Sequence, residues 1–230
     1  MSREQTNTIY LVRHGENKAN ITKEFSYKLV DYPLTAKGVL QAEQTAEYFT
    51  DKSIDEIYTS PLKRAWETAH IIAQKLGPGI VTIEEFREVN VGSLEGQPPN
   101  AENWAAHNKV VEDWYNGHFT SMFPDGENFL MLLDRMKAGL LAVTHGKTNK
   151  KIVIVGHGGI FTAAIRGICR NVDEEEVLPK HMHNCAITEI ELTTTEQTVS
   201  GEIINWAYHG HLSGEAAELV PAVPQFDIEE

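Results

Sequence analysis

The chain has 230 residues, with 33 acidic against 20 basic side chains and a formal net charge of −13. That length can bury the core of one enzyme-sized α/β domain, while the charge argues against a general nucleic-acid or membrane-surface binder. An anionic ligand therefore has to be drawn in by a local cationic pocket, against the field of the whole molecule.

In chain order, residues 1–7 hold no apolar signal core and no later stretch reaches transmembrane length, so the expected location is cytoplasmic. The apolar run Thr8-Ile9-Tyr10-Leu11-Val12 predicts a buried strand, followed at once by Arg13-His14-Gly15-Glu16. Open α/β sheets bind ligands outside the carboxyl ends of their strands, and a glycine there lets the backbone turn and come close to a ligand. Residues 17–33 read as a loop. Thr35 is the expected N-cap of a helix whose apolar positions Val39, Ala42, Ala46 and Phe49 keep helical spacing. A strand over Asp55–Tyr58 precedes a helix from Pro61 to Leu76, which Gly77-Pro78-Gly79 stops. A third strand, Ile80–Ile83, leads into Phe86-Arg87-Glu88.

Pro98-Pro99 opens an insertion, about 97–125, in which Trp104, His107, Val111 and Trp114 keep helical spacing. Two uses are open for it: a substrate lid, or a helix packing its apolar face on the sheet, the latter favoured. Asp125-Gly126-Glu127 leads into another helix through about Val143. Ile152–Val155 is the next buried strand, and it ends in Gly156-His157-Gly158-Gly159. Ala186–Leu192 and Glu202–Tyr208 read as a hairpin at the sheet edge, and residues from about 212 to 230 as a surface tail. The alternation of strands and helices predicts a doubly wound α/β sheet, and no second domain is marked between residues 1 and 230. Cys169 and Cys185 make no disulfide framework and read as small core side chains of a reducing compartment.

Two strands that each deliver a histidine through a glycine turn, with Ser60-Pro61-Leu62-Lys63-Arg64 and Phe86-Arg87-Glu88 between them in that order, resemble the histidine phosphatase superfamily, the phosphoglycerate-mutase-like proteins. The resemblance runs from about Ile9 to about Leu192. It implies a three-layer α/β/α sandwich with a mostly parallel central sheet. It also implies a catalytic set in which His14 is the nucleophile, Glu88 the proton donor to the leaving oxygen, and His157 a donor to the phosphoryl group. Arg13, Arg64 and Asn20, together with His157, would bind the phosphate.

The residue types suit that chemistry. Phosphoryl transfer to nitrogen needs a neutral imidazole held still, and fixed cations for the non-bridging oxygens. Arginine offers a planar fork to those oxygens, and a residue in the first turn of a helix adds the field of the helix N-terminus. Asn17 stands where many members have Ser or Thr, a change that touches substrate-side hydrogen bonding. The family's mutases carry a longer stretch with Tyr and Arg after the acid, whereas this chain runs Val89-Asn90-Val91-Gly92-Ser93-Leu94-Glu95-Gly96-Gln97, which looks like the phosphatase branch.

The expectation is a metal-independent, cofactor-free phosphomonoesterase acting on a small phosphorylated metabolite through a phosphohistidine. A cofactor-dependent mutase and a non-catalytic phosphate-binding relative are the alternatives. A pure binder has no need of the acid, which weighs against the second. His181-x-His183 and His209-x-His211 have the spacing of paired metal ligands, but nothing completes a ligand set, so no metal is expected. The expected partner is the phosphorylated substrate, with neither nucleic acid nor membrane, and a homo-oligomer is left open.

Overall fold

A computed structural model describes residues 4–173, 177 and 182–221. Six strands form one sheet in the order β3-β2-β4-β1-β5-β6: β1 Gln5–Arg13, β2 Glu56–Thr59, β3 Ile80–Thr82, β4 Lys151–Gly156, β5 Ile187–Thr194 and β6 Val199–Tyr208. The first four in that order are parallel, and β5 and β6 add an antiparallel margin. The expected hairpin is present, with β5 paired to β1 and only β6 at the edge.

The helices are α1 Lys18–Thr22, α2 Ala36–Tyr48, α3 Lys63–Leu76, α4 Ala101–Tyr115, α5 Phe129–Thr144 and α6 Gly158–Ile165. Strand side chains alternate between faces, and β1 divides accordingly. Tyr10 and Val12 pack with Ala46 of α2 and Ala65, Ala69 and Ile72 of α3. Ile9 and Leu11 belong to the opposite core, with Leu132, Met136 and Leu140 of α5 and Ile160 and Phe161 of α6. The result is the expected α/β/α sandwich. Among the described residues, no helix is long and apolar enough to cross a membrane.

Local signals behave as the residue types dictate. Thr35 caps α2 by accepting from Gly38 N at 3.0 Å, and Gly77 ends α3 at φ 99°. Within the expected loop 17–33 a short helix forms, α1. Asn17 accepts from Asn20 N and Asn20 accepts from Asn17 N, both at 3.1 Å, a reciprocal cap. Five residues are too few for an apolar period to announce them.

The face of α4 that carries Trp104, His107 and Trp114 makes ring contacts with Phe25, Phe123 and Phe129, and Trp114 is buried in the same core as Ile9 and Leu11 of β1. One expectation needs correction. The stretch expected as a tail begins packed: Leu212 and Ala216 are buried beside Ala42 and Cys185, and Gln41 Nε2 donates to Ala216 O at 3.1 Å. Short apolar residues spaced over one 3₁₀ turn, Gly214–Ala217, are enough to seat it.

Candidate active site

The site lies at the carboxyl ends of three neighbouring parallel strands. Arg13 pairs with Gly156 and Thr59 with Val155, so the residues leaving β1, β4 and β2 emerge side by side. They are His14, His157 and Ser60. His14 N donates to Gly156 O at 3.0 Å and Ser60 N to Val155 O at 2.9 Å, which extends the ladder one residue into the site. Gly15 is required by a close approach: a Cβ there would lie 2.4 Å from Gly38 O, at the first turn of α2.

His14 is 2 % exposed and fixed at both ring nitrogens. Nδ1 lies 2.7 Å from Gly15 O, an acceptor only, so Nδ1 carries the proton and Nε2 the lone pair. Arg64 Nε donates to that Nε2 at 3.0 Å. Burial, then Arg64 and Arg13, hold the His14 imidazole well below the ordinary histidine range, so it is neutral at physiological pH. Arg64, the second residue of α3, also donates to Ser26 Oγ and Ser26 O, each at 2.8 Å. Burial lowers its guanidinium to about 10, against which Glu88 and Asp31 act, and it stays charged at neutral pH.

His157 is fully buried behind His14, with ring centroids 5.2 Å apart, and it is not among the residues that line the adjoining cavity. Its Nε2 meets Ser60 Oγ at 2.7 Å, and burial followed by Arg64 keeps it, too, well below the usual value. Arg13 donates through one terminal nitrogen to Met182 O at 2.6 Å. Three buried side-chain nitrogens around His14 have no partner among the described residues: Arg13 Nε, Asn17 Nδ2 and His157 Nδ1. Buried polar nitrogens without partners are costly, and a tetrahedral oxyanion beside His14 would supply acceptors for such a set.

Asn20 stands at the cavity wall with Oδ1 accepting from Asn17 N and from Asn184 Nδ2 at 2.9 Å. Glu88 also lines the cavity. Its Oε1 accepts from Val89 N and Ile160 N at 2.8 Å, and its Oε2 from Gly159 N at 3.2 Å, at the start of α6. Gly159 is needed here, since a Cβ would sit 2.7 Å from Glu88 Oε1. The structure thus brings Arg13, His14, Asn20, Arg64 and Glu88 to one cavity and sets His157 directly behind it.

Several participants were not read from the sequence. Arg135 of α5 donates to the carbonyls of Glu85, Arg87 and Glu88 at 2.6–3.0 Å and pairs with Glu127 at 2.7 Å, which fixes the segment carrying Glu88. Glu95 Oε1 accepts from four successive amides, Tyr27 to Val30, at 2.5–3.2 Å, and so shapes the loop whose Ser26 holds Arg64. Asn184 Nδ2 donates to His14 O at 3.0 Å. Only the two acidic residues lie near a recognised motif, and nothing in their spacing separates them from solvated carboxylates. His183 and His209 rings stand 5.0 Å apart, while His181 falls outside the described residues. Among the described residues, no three of His, Cys, Asp and Glu gather in a set able to hold an ion.

A buried, neutral histidine between two arginines at the strand ends of this sheet defines a class, and the comparison with known families agrees: the chain belongs to the histidine phosphatase superfamily (branch 1), whose family model matches residues 9–203. Among curated relatives it is similar to the uncharacterized phosphatase PhoE of Bacillus subtilis, 34 % identical over 90 % of this chain and 97 % of that one. It is also similar to a probable phosphoglycerate mutase, GpmB, of Yersinia enterocolitica, 30 % identical over 94 % and 97 %. Among solved structures, Bacillus stearothermophilus YhfR superposes with a TM-score of 0.74 at 24 % identity, covering 89 % of this chain and 98 % of that one.

Proposed function

We propose that the chain is a metal-independent phosphomonoesterase, one catalytic unit that works through a phosphohistidine on His14. The observation that carries this reading is the fixed, neutral His14 with its lone pair on Nε2, facing Arg64 and ringed by three unpartnered nitrogens. On binding, the phosphate oxygens take over the N–H groups of Arg64 and Arg13, which frees the Nε2 lone pair. Nε2 attacks phosphorus, the bond from phosphorus to the alcohol oxygen breaks, and Glu88 gives its proton to that oxygen. His157 Nδ1 and Asn17 Nδ2 donate to the phosphoryl group as charge builds. Water then attacks the phosphohistidine, Glu88 takes the water's proton, and inorganic phosphate leaves with His14 neutral again.

The pocket cations are guanidinium groups, which do the work on phosphate oxygens that a divalent ion does elsewhere. Chelators are therefore expected to leave activity unchanged, and vanadate, a mimic of the pentacoordinate state, to inhibit strongly. The similarity to a probable phosphoglycerate mutase supports a second reading, in which an organic acceptor replaces water. One experiment separates the two. Enzyme quenched in alkali after incubation with labelled phosphomonoester should carry label on His14, and it should release inorganic phosphate with no phosphorylated acceptor present. Label that leaves His14 only when an organic acceptor is present, and appears as a phosphorylated acceptor instead of inorganic phosphate, would make the mutase correct, and label on another histidine would remove His14 as nucleophile.

A further inference from the structure

The cavity beside His14 measures about 430 Å³, far more than a phosphate and a three-carbon acid require. Part of its wall is built by Phe25, Trp104, His107, Val111, Trp114 and Phe129. These rings are fixed before any ligand arrives. Phe25 lies 4.8 Å from Trp104 and stacks on His107 at 5.4 Å, and Trp104 Nε1 donates to Lys23 O at 3.1 Å. Trp114 is held in the same way, its Nε1 donating to Ser121 O at 2.6 Å.

Cations on that side of the cavity are already engaged. Lys23 Nζ donates to the carbonyls of Asn20 and Pro221. Arg166 donates to Trp114 O at 3.3 Å and lies over the rings of Tyr115 and Phe119. Glu24 adds a negative charge to the wall. A substrate carboxylate placed there would have to draw Lys23 or Arg166 from the carbonyls they now hold, whereas a ring would gain preformed apolar contacts.

We propose that this site selects phosphomonoesters whose alcohol carries an aromatic ring, in preference to short carboxylated or polyol phosphates. The proposal rests on the phosphatase reading for its chemistry. The phosphate is held at the His14 end, and the ring of the leaving alcohol lies against Trp104 and Phe25.

Three esters test it on the full chain: 3-phenylpropyl phosphate, propyl phosphate and 3-phosphoglycerate. The first two release primary alcohols of nearly equal basicity, so a difference in kcat/KM reports the ring and not the leaving group. The phenyl ester should exceed the propyl ester by about 10–100-fold, the gain of burying one aromatic side chain, and 3-phosphoglycerate should fall below both. Trp104→Ala should cut the phenyl-to-propyl ratio by about tenfold, with its melting temperature checking that the variant is folded. Calorimetry with 3-phenylpropylphosphonate and propylphosphonate, which are not hydrolysed, should give a similar ratio of affinities. Hydrolysis of all three esters with no preference, or a preference for 3-phosphoglycerate, would overturn this proposal alone. A preference among the phosphonates without hydrolysis of any ester would overturn the phosphatase reading and leave the ring site standing.

Discussion

Arg64 Nε donates to His14 Nε2 at 3.0 Å, so the nitrogen with the reactive lone pair is held by the same guanidinium that is to hold the phosphate. In the proposed mechanism, substrate and nucleophile compete for that one donor, and phosphate binding releases the imidazole. Arg64→Lys keeps a charge but loses both the fork and the Nε donor. It is expected to lower kcat/KM by about 10²–10³-fold and to weaken vanadate inhibition in parallel. Steady-state rates with a vanadate titration check this, and unchanged vanadate affinity would show that Arg64 does not bind the phosphoryl group.

Glu88 is tested by the demand that different leaving groups make for a proton. An alkoxide is a far stronger base than a nitrophenolate, so only the first needs an acid to depart. Glu88→Gln should slow phosphoenzyme formation from alkyl phosphates by about 10²–10⁴-fold and from a nitrophenyl ester far less, measured in single turnovers. The variant should also melt lower, because its amide nitrogen would face Gly159 N where Oε2 now accepts, at a cost of about 1–3 kcal/mol. Equal losses for both esters would remove Glu88 as the acid.

Stability should depend on pH through the buried histidines. His14 and His157 are held well below the ordinary value by burial and by Arg64, and unfolding returns them to about 6.5. Between their depressed folded values and about 6.5 the unfolded chain binds more protons. Stability therefore rises with pH across that window and is lost as pH falls through it, by roughly 1.4 kcal/mol per pH unit for each histidine. Urea unfolding between about pH 5 and 7 measures the slope, and His157→Gln should flatten it by about one histidine's share. A slope unchanged in that variant would mean that His157 is protonated in the folded state.

The four amides gathered by Glu95 make it a positioning residue for Arg64. Glu95→Gln removes the negative charge that the amides of Tyr27–Val30 share, loosens the loop that presents Ser26, and so leaves the Arg64 guanidinium less fixed. KM for phosphate esters should rise by about tenfold, with a smaller change in kcat. Limited proteolysis should cut near Tyr27 faster in the variant. A loss confined to melting temperature would reduce Glu95 to a structural role.

How much of this was legible in the sequence depends on the kind of signal. Arg13, His14, Arg64, Glu88 and His157 stand beside glycines and strand ends, and the structure gathers them because those strands finish at one level. The helix α1 was not legible, being shorter than one apolar period and capped by an asparagine pair. The face of α4 was visible as an apolar stripe, but its target was not, because a period says that a face is buried and never against what. Arg135 and Glu95 were silent because they bind backbone amides and carbonyls, which every sequence carries.

His14 and His157 face each other across the pairing of β1 with β4, although more than half of the chain separates them. Such a site cannot preassemble from a local fragment: closing that loop is a late and slow step when non-local strand pairs dominate. A partly folded molecule would then have helices and apolar clusters but no place where a phosphoryl group could be taken up. Catalysis therefore reports the pairing of β1 with β4, and during refolding its return cannot precede that pairing.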